Sequence, residues 1–383
     1  MHEPGPLENP LANWPNDDLL FDPGQRTFIE SMHPKLIHIF DWPELRHAFS
    51  AHNARASTFR RRSRTLGKVA VGLGWLSLLL VALEPSINLL MKDNANEALV
   101  AKIVGGGALF LAFASGVLGY SQIMSGRNKL RWLTHRFWTE RMRQLHFQLI
   151  ANNVPLALQT MNDADARRAW SRIRESELHR VLHRMEPIAE AVQRMEEDLP
   201  CADPWLSEEW VESGPAPSAG AHADADEFFH VLREQRFGIQ RRYAKFKLRP
   251  GIYSPKSRAM ITGCIGDLFT LLVLFCALIA GVIRAFGPEA THGSVPPAFI
   301  YAVSFMGCLT ASIVAMRVLN EGLKFRDESE RYEWYLAAVS AIENRYLEAD
   351  PVGKVAALRD MECLSYQEMR QFIMSFKSAR FVM

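Results

Sequence analysis

The sequence predicts an all-α integral membrane protein, with four transmembrane helices in two parallel-repeat hairpins plus a cytoplasmic helical domain. Three observations carry this reading. Val69–Met91, Ile103–Met124, Ala259–Ile283 and Val295–Met316 are apolar runs almost free of charge. Each holds about 22–25 residues, roughly 33–38 Å as a helix, enough to cross a bilayer core. The runs come in two pairs, each joined by a short polar loop and flanked by basic residues.

The bulk composition alone hides this. The chain has 383 residues, 48% of them hydrophobic and 22% charged, with a net charge of +2. Those values resemble a soluble protein; the distribution of charge decides otherwise. The first apolar run lies behind a long polar segment, so it does not read as a cleavable leader. Cys201, Cys264, Cys276, Cys308 and Cys363 show no metal or disulfide spacing.

Charge flanks set the expected topology. Arg55, Arg60, Arg61, Arg62, Arg64 and Lys68 precede the first run, and Arg127, Lys129, Arg131, Arg136, Arg141 and Arg143 follow the second. Arg241 to Arg258 precedes the third, and Arg317, Lys324 and Arg326 follow the fourth. The loops Lys92–Lys102 and Arg284–Ser294 carry far fewer bases. The positive-inside rule puts both termini and the centre in the cytoplasm.

In chain order, residues 1–40 read as a tail rich in Pro and Asn. Asp41-Trp-Pro-Glu44 reads as a helix start, with Asp41 as cap and Glu44 as its reciprocal acid. That helix opens a helix, two-span, helix unit over 41–150. Its closing helix, Arg131–Ile150, places Trp132, Arg136, Glu140 and Arg143 as neighbours and stops at Asn152, Asn153 and Pro155. Residues 151–226 form an insertion, helical over Asp163–Asp198, and a linker rich in Gly, Pro and Ser. A second unit over 227–350 repeats the first in the same sense. It comprises Glu227–Leu248, the third and fourth runs, and a helix over Glu321–Leu347. Residues 351–383 hold a last helix, expected to start at Ser365 with Glu368 closing a capping box.

Candidate functional residues follow from polar groups in apolar surroundings. Asp267 and Glu84 are ionisable residues inside runs, where charge is costly and faces a bundle interior or water; the simpler readings place Glu84 near the outer interface beside the Pro85 kink, which is preferred, and Asp267 toward the cytoplasmic interface within reach of Lys256 or Arg258. Thr262, Gly266 and Thr270 recur every four residues on the third run; Ser304, Cys308 and Ser312 do so on the fourth. These stripes fit a pore lining, and fit close helix packing better. Ala108, Ala112 and Gly116 make a packing stripe on the second run. Arg241–Arg258 interleaves seven bases with aromatics and no acid. Arg241, Arg242, Lys245, Lys247 and Arg249 are therefore candidates for an anionic ligand, against an anchor on anionic lipid as the simpler reading. His179 and His183 have metal spacing, but Arg180 and Arg184 beside them disfavour a cation. No nucleotide-binding, dinucleotide or nucleophile motif is present, so no enzyme, metal or cofactor is expected.

The segment FWTERMRQ at Phe137–Gln144, the stretch LREQRFGIQRRYAKF at Leu232–Phe246, the terminal EMRQFIMSFKSARFVM and the paired spans together resemble SLATT-type bacterial effector proteins. The resemblance implies a homo-oligomeric, signal-gated pore in the bacterial inner membrane that acts in antiviral defence. It further implies control by a nucleotide or oligonucleotide from a companion nucleotidyltransferase. Four subunits is the expected stoichiometry. A non-conducting scaffold for a cytoplasmic partner and a small-solute transporter stay open as alternatives.

Overall fold

The computed structural model describes residues 17–92, 94–124, 127–194, 221–251, 254–286 and 296–378. Residues 1–16 of the expected tail, most of the linker and most of the second short loop lie outside the described residues; residues 17–40, expected as tail, are instead largely helical and bury Asp18, Leu20, Ile29, Leu36 and Phe40. Among the described residues every regular element is a helix. They are α1 (Pro23–Met32), α2 (Ile37–Phe40), α3 (Pro43–Met91), α4 (Glu97–Met124), α5 (Arg127–Asn152), α6 (Val154–Thr160) and α7 (Ala164–Arg194). Then come α8 (Ala221–Arg233), a π-helical turn (Glu234–Gly238), α9 (Ile239–Leu248), α10 (Pro255–Phe286), α11 (Pro297–Leu323), α12 (Phe325–Glu348) and α13 (Pro351–Ser378). Helices α3, α4 and α10, and the run that begins with α11, are long and apolar enough to cross a membrane.

Three expected boundaries move. Asp41 closes α2 and binds the Arg46 guanidinium at 2.5 Å, so α3 starts at Pro43, where a missing N–H costs nothing. The helix expected over Glu321–Leu347 breaks at Lys324, whose left-handed backbone (φ 53°) returns its N–H to the Asn320 carbonyl at 2.8 Å and ends α11. No helix starts at Ser365. Pro351 opens α13, the Asp350 carboxylate accepts the Gly353 N–H at 2.8 Å, and Ser365 sits mid-helix, donating to the Met361 carbonyl at 2.9 Å. A Ser-x-x-Glu spacing also fits a helix interior, so the motif alone could not locate the end.

The chain divides into two compact units. The second unit comprises residues Arg60–Lys129, Lys256–Arg326 and Ser378–Met383, and so holds the apolar parts of α3, α4, α10 and α11. Within it, hydroxyls tie helices to each other's backbones. Ser77 donates to the Ala108 carbonyl and Ser115 to the Ala70 carbonyl, both at 2.8 Å. The α3–α4 contact runs through Ala108 and Ser115, whereas Ala112 and Gly116 of the expected stripe are exposed. Against α11, Trp75 Nε1 donates to Ser312 Oγ at 3.1 Å. A Cβ on Gly307 would stand 2.8 Å from Ala82 Cβ, so only glycine allows that approach.

The first unit comprises Met1–Phe59, Leu130–Pro255 and Asp327–Lys377. Its centre is α5. Every residue from Arg141 to Ala151 is buried, although Arg141, Arg143, Gln144, His146 and Gln148 are polar. A helix buried all round is normally apolar. Here aromatic rings pack around the polar groups. Trp132 meets Phe376 edge-on at 5.0 Å, Arg236 lies 4.5 Å over Phe147, and Arg141 lies 5.0 Å over Tyr366.

Candidate functional site

Polar groups in the apolar helices fall into two sets. On α11, Ser304 is buried, and Ser312 donates to the Cys308 carbonyl at 2.9 Å while accepting from Trp75. That stripe is turned toward helix partners within the chain. On α10, Thr262 donates to the Arg258 carbonyl at 2.7 Å and Thr270 to the Gly266 carbonyl at 2.8 Å. These bonds use each hydroxyl's one donor on its own helix, and its oxygen lone pairs can still accept. Asp267 and Thr270 are exposed, as are Leu268, Leu271, Leu274, Phe275 and Leu278 around them. Only 6% of the apolar window of α10 is buried within the chain. Glu84 is half-buried beside Pro85 in α3.

The basic candidates before α10 differ in exposure and pairing. Arg241 pairs with Glu343 at 3.0 Å and Arg242 with Glu234 at 3.1 Å. Lys247 is buried and lies 5.4 Å over the Tyr243 ring. Lys245 and Arg249 are exposed. His179 and His183 are exposed on α7, and among the described residues no cluster of three metal-ligating side chains occurs.

Sequence reasoning missed the largest polar constellation, which lies in the first unit. Arg136 and Arg143 both pair with Glu140, the latter at 2.5 Å, which are the neighbours expected on α5. They are not on an open surface. Arg143 is 4% exposed and also binds Asp18 at 2.9 Å, while Gln240 donates to the other Asp18 oxygen at 2.7 Å. The π turn brings Arg236 into the same place. Its Nε donates to Glu362 at 2.6 Å and its Nη2 to Ser365 at 2.8 Å. Arg331 pairs with Glu368 at 3.0 Å, and the Tyr243 and Tyr332 hydroxyls lie 3.4 Å apart. A π turn inserts an extra residue into a helix, and such turns cluster at functional sites.

Arg136, Glu140, Arg143, Gln144, Arg236, Gln240, Tyr243, Tyr332, Tyr335, Ser365 and Glu368 line a cavity of about 20 Å³. Burial pushes Glu140 up, but Arg136 and Arg143 outweigh it and hold the carboxyl below its ordinary range. Burial wins at Glu362, raised to about 7 against Arg236, and at Glu368, raised against Arg331. The sequence did carry a signal for this cluster: FWTERMRQ mixes charges and rings on every face, which suits neither a surface helix nor an apolar core.

No known protein family, curated protein or solved structure matches the chain.

Proposed function

We propose that the protein is a signal-gated, homo-oligomeric membrane effector whose spans surround an ion-conducting path. One observation carries this: Asp267 and Thr270 lie on the uncovered side of α10. Asp267 is eight residues beyond Ala259, about 12 Å along the helix and so within the hydrocarbon. A charged carboxylate at such depth costs about 2.5–3.5 kcal/mol on insertion scales. Lipid offers it no partner. Other copies of the chain, arranged around a water-filled path, do. The carboxyl then faces that path, with the apolar face of α10 against neighbouring subunits.

The basic flanks of the spans support an in–out–in course for each pair, with the first unit and both termini in the cytoplasm of a bacterial inner membrane. The resemblance to SLATT-type effectors adds the setting: an antiviral response set off by a cytoplasmic nucleotide or related anion. Such a ligand shifts the open–closed balance only by preferring one state.

Purified protein in planar bilayers tests the reading. Single-channel currents are expected, with conductance or gating changed by Asp267→Asn. Saturable flux of one solute without channel events would make it a transporter. Silence under every ionic condition and with phosphate, nucleotide or oligonucleotide added would leave a scaffold.

A further inference from the structure

Fixed charge inside the four apolar runs has one sign. Across Val69–Met91, Ile103–Met124, Ala259–Ile283 and Val295–Met316 the acidic and basic side chains reduce to two carboxyls, Glu84 and Asp267, with no Lys, Arg or His. The bases gather at the span ends instead. Glu84 is half-buried beside Pro85. Asp267 is exposed, and among the described residues it makes no hydrogen bond or ion pair. Arg258 and Lys256 stand nine and eleven residues earlier on α10. That is roughly 14 and 17 Å along the axis, beyond the one-turn reach of a helical side-chain pair. Arg258 lies 5.5 Å over the Phe325 ring.

The neighbours of Asp267 on its own face are acceptors or small. Thr270 follows by three residues, and its one proton goes to the Gly266 carbonyl at 2.8 Å, so its oxygen offers lone pairs. One turn earlier come the exposed Cys264 and Gly263, where a Cβ would meet nothing within 4 Å. Carboxylate and hydroxyl oxygens one turn apart are hard ligands of the kind that replace the water around a small inorganic cation. The other widely exposed span, α4, turns out Leu109, Phe110, Phe113 and Val117, a face suited to lipid.

Copies of the chain around one path bring several Asp267 carboxylates to the same level. Rings of carboxylates admit cations. Low-dielectric walls strengthen their field, whereas the bases at the hydrated span ends are screened over about 8 Å at physiological ionic strength. We propose that Asp267 and Thr270 of neighbouring copies form a cation site in the path, which passes small inorganic cations and rejects anions. The inference rests on the reading above that copies surround a conducting path; it adds what the path carries and which oxygens select it.

Planar bilayers under a potassium chloride gradient read selectivity from the reversal potential. The wild-type protein should favour potassium over chloride by about tenfold or more. Asp267→Asn should lower that ratio at least threefold, Asp267→Glu should keep it, and Asp267→Lys should carry it below one. Channels that prefer chloride, or a ratio that neither Asp267→Asn nor Asp267→Lys moves, overturn the inference and leave the conducting path standing. Where no current appears, melting the full chain in detergent decides, with rising calcium chloride against choline chloride at equal ionic strength. A saturable rise in Tm, kept by Asp267→Glu and weakened about tenfold in apparent affinity by Asp267→Asn, supports the cation site while the path fails. No rise, or an equal rise in wild type and Asp267→Asn, overturns the site as well.

Discussion

Single residues in the first unit hold charge where a core normally excludes it. Arg143, Arg236, Glu362 and Asp18 are each nearly or fully buried and joined to one another. Removing one partner of such a pair costs about 3–5 kcal/mol, whereas replacing both with apolar groups is often neutral, so the network specifies an arrangement more than it adds stability. Glu362 makes the point measurable. Its carboxyl in the folded protein is raised to about 7 from an ordinary 4.5. The folded state therefore holds a proton that the unfolded chain has lost between those values, and stability falls as pH rises through that window. Glu362→Gln still accepts from Arg236 but does not titrate. Its Tm relative to wild type should climb between pH 5 and 8, by roughly 2–4 °C for each kcal/mol involved. Parallel melting curves across that range would show that Glu362 does not titrate there. Arg136, Glu140 and Arg143 were legible in the sequence as neighbours on one helix. Their burial was not, because it depends on Asp18, Arg236 and Glu368, which arrive from distant parts of the chain.

At the scale of elements, the four apolar helices were legible almost to their ends, since length and hydropathy alone define them. Which face of each meets a neighbour was not. Of the evenly spaced small residues on α4, Ala108 meets α3 but Ala112 and Gly116 are exposed, and Ser115 takes part in the contact instead. The decisive small residue is Gly307 on α11, against Ala82 on α3. Gly307→Ala should destabilise the protein in detergent by about 1–3 kcal/mol through overpacking. Adding Ala82→Gly should restore much of that, while Gly72→Ala, where a Cβ meets nothing within 4 Å, should be close to neutral. A Gly307→Ala protein as stable as wild type would show that α3 and α11 part at no cost. The π turn and the break at Lys324 were equally invisible in sequence. Each depends on what its residues bind once folded: Arg236 on Glu362 and Ser365, Lys324 on Asn320 and Glu321.

For the whole molecule, the proposed topology has a direct check. In a cysteine-free background, Asn94→Cys should react with an impermeant maleimide on intact cells. Glu30→Cys and Leu347→Cys, both at exposed positions, should react only after permeabilisation. Labelling of Glu30→Cys from outside would reverse the orientation and remove the cytoplasmic ligand from the argument. The sequence by itself determined that the regular elements of the described residues are helices and that four of these are fit to cross a membrane, because hydrophobic length and charge exclusion are local properties. Only the tertiary structure decided that the charges of α5 are buried around a small cavity, and that the carboxyl of Asp267 is left on an uncovered helix face. Burial is a property of what packs against a residue, and those partners come from sequence too distant for periodicity to report.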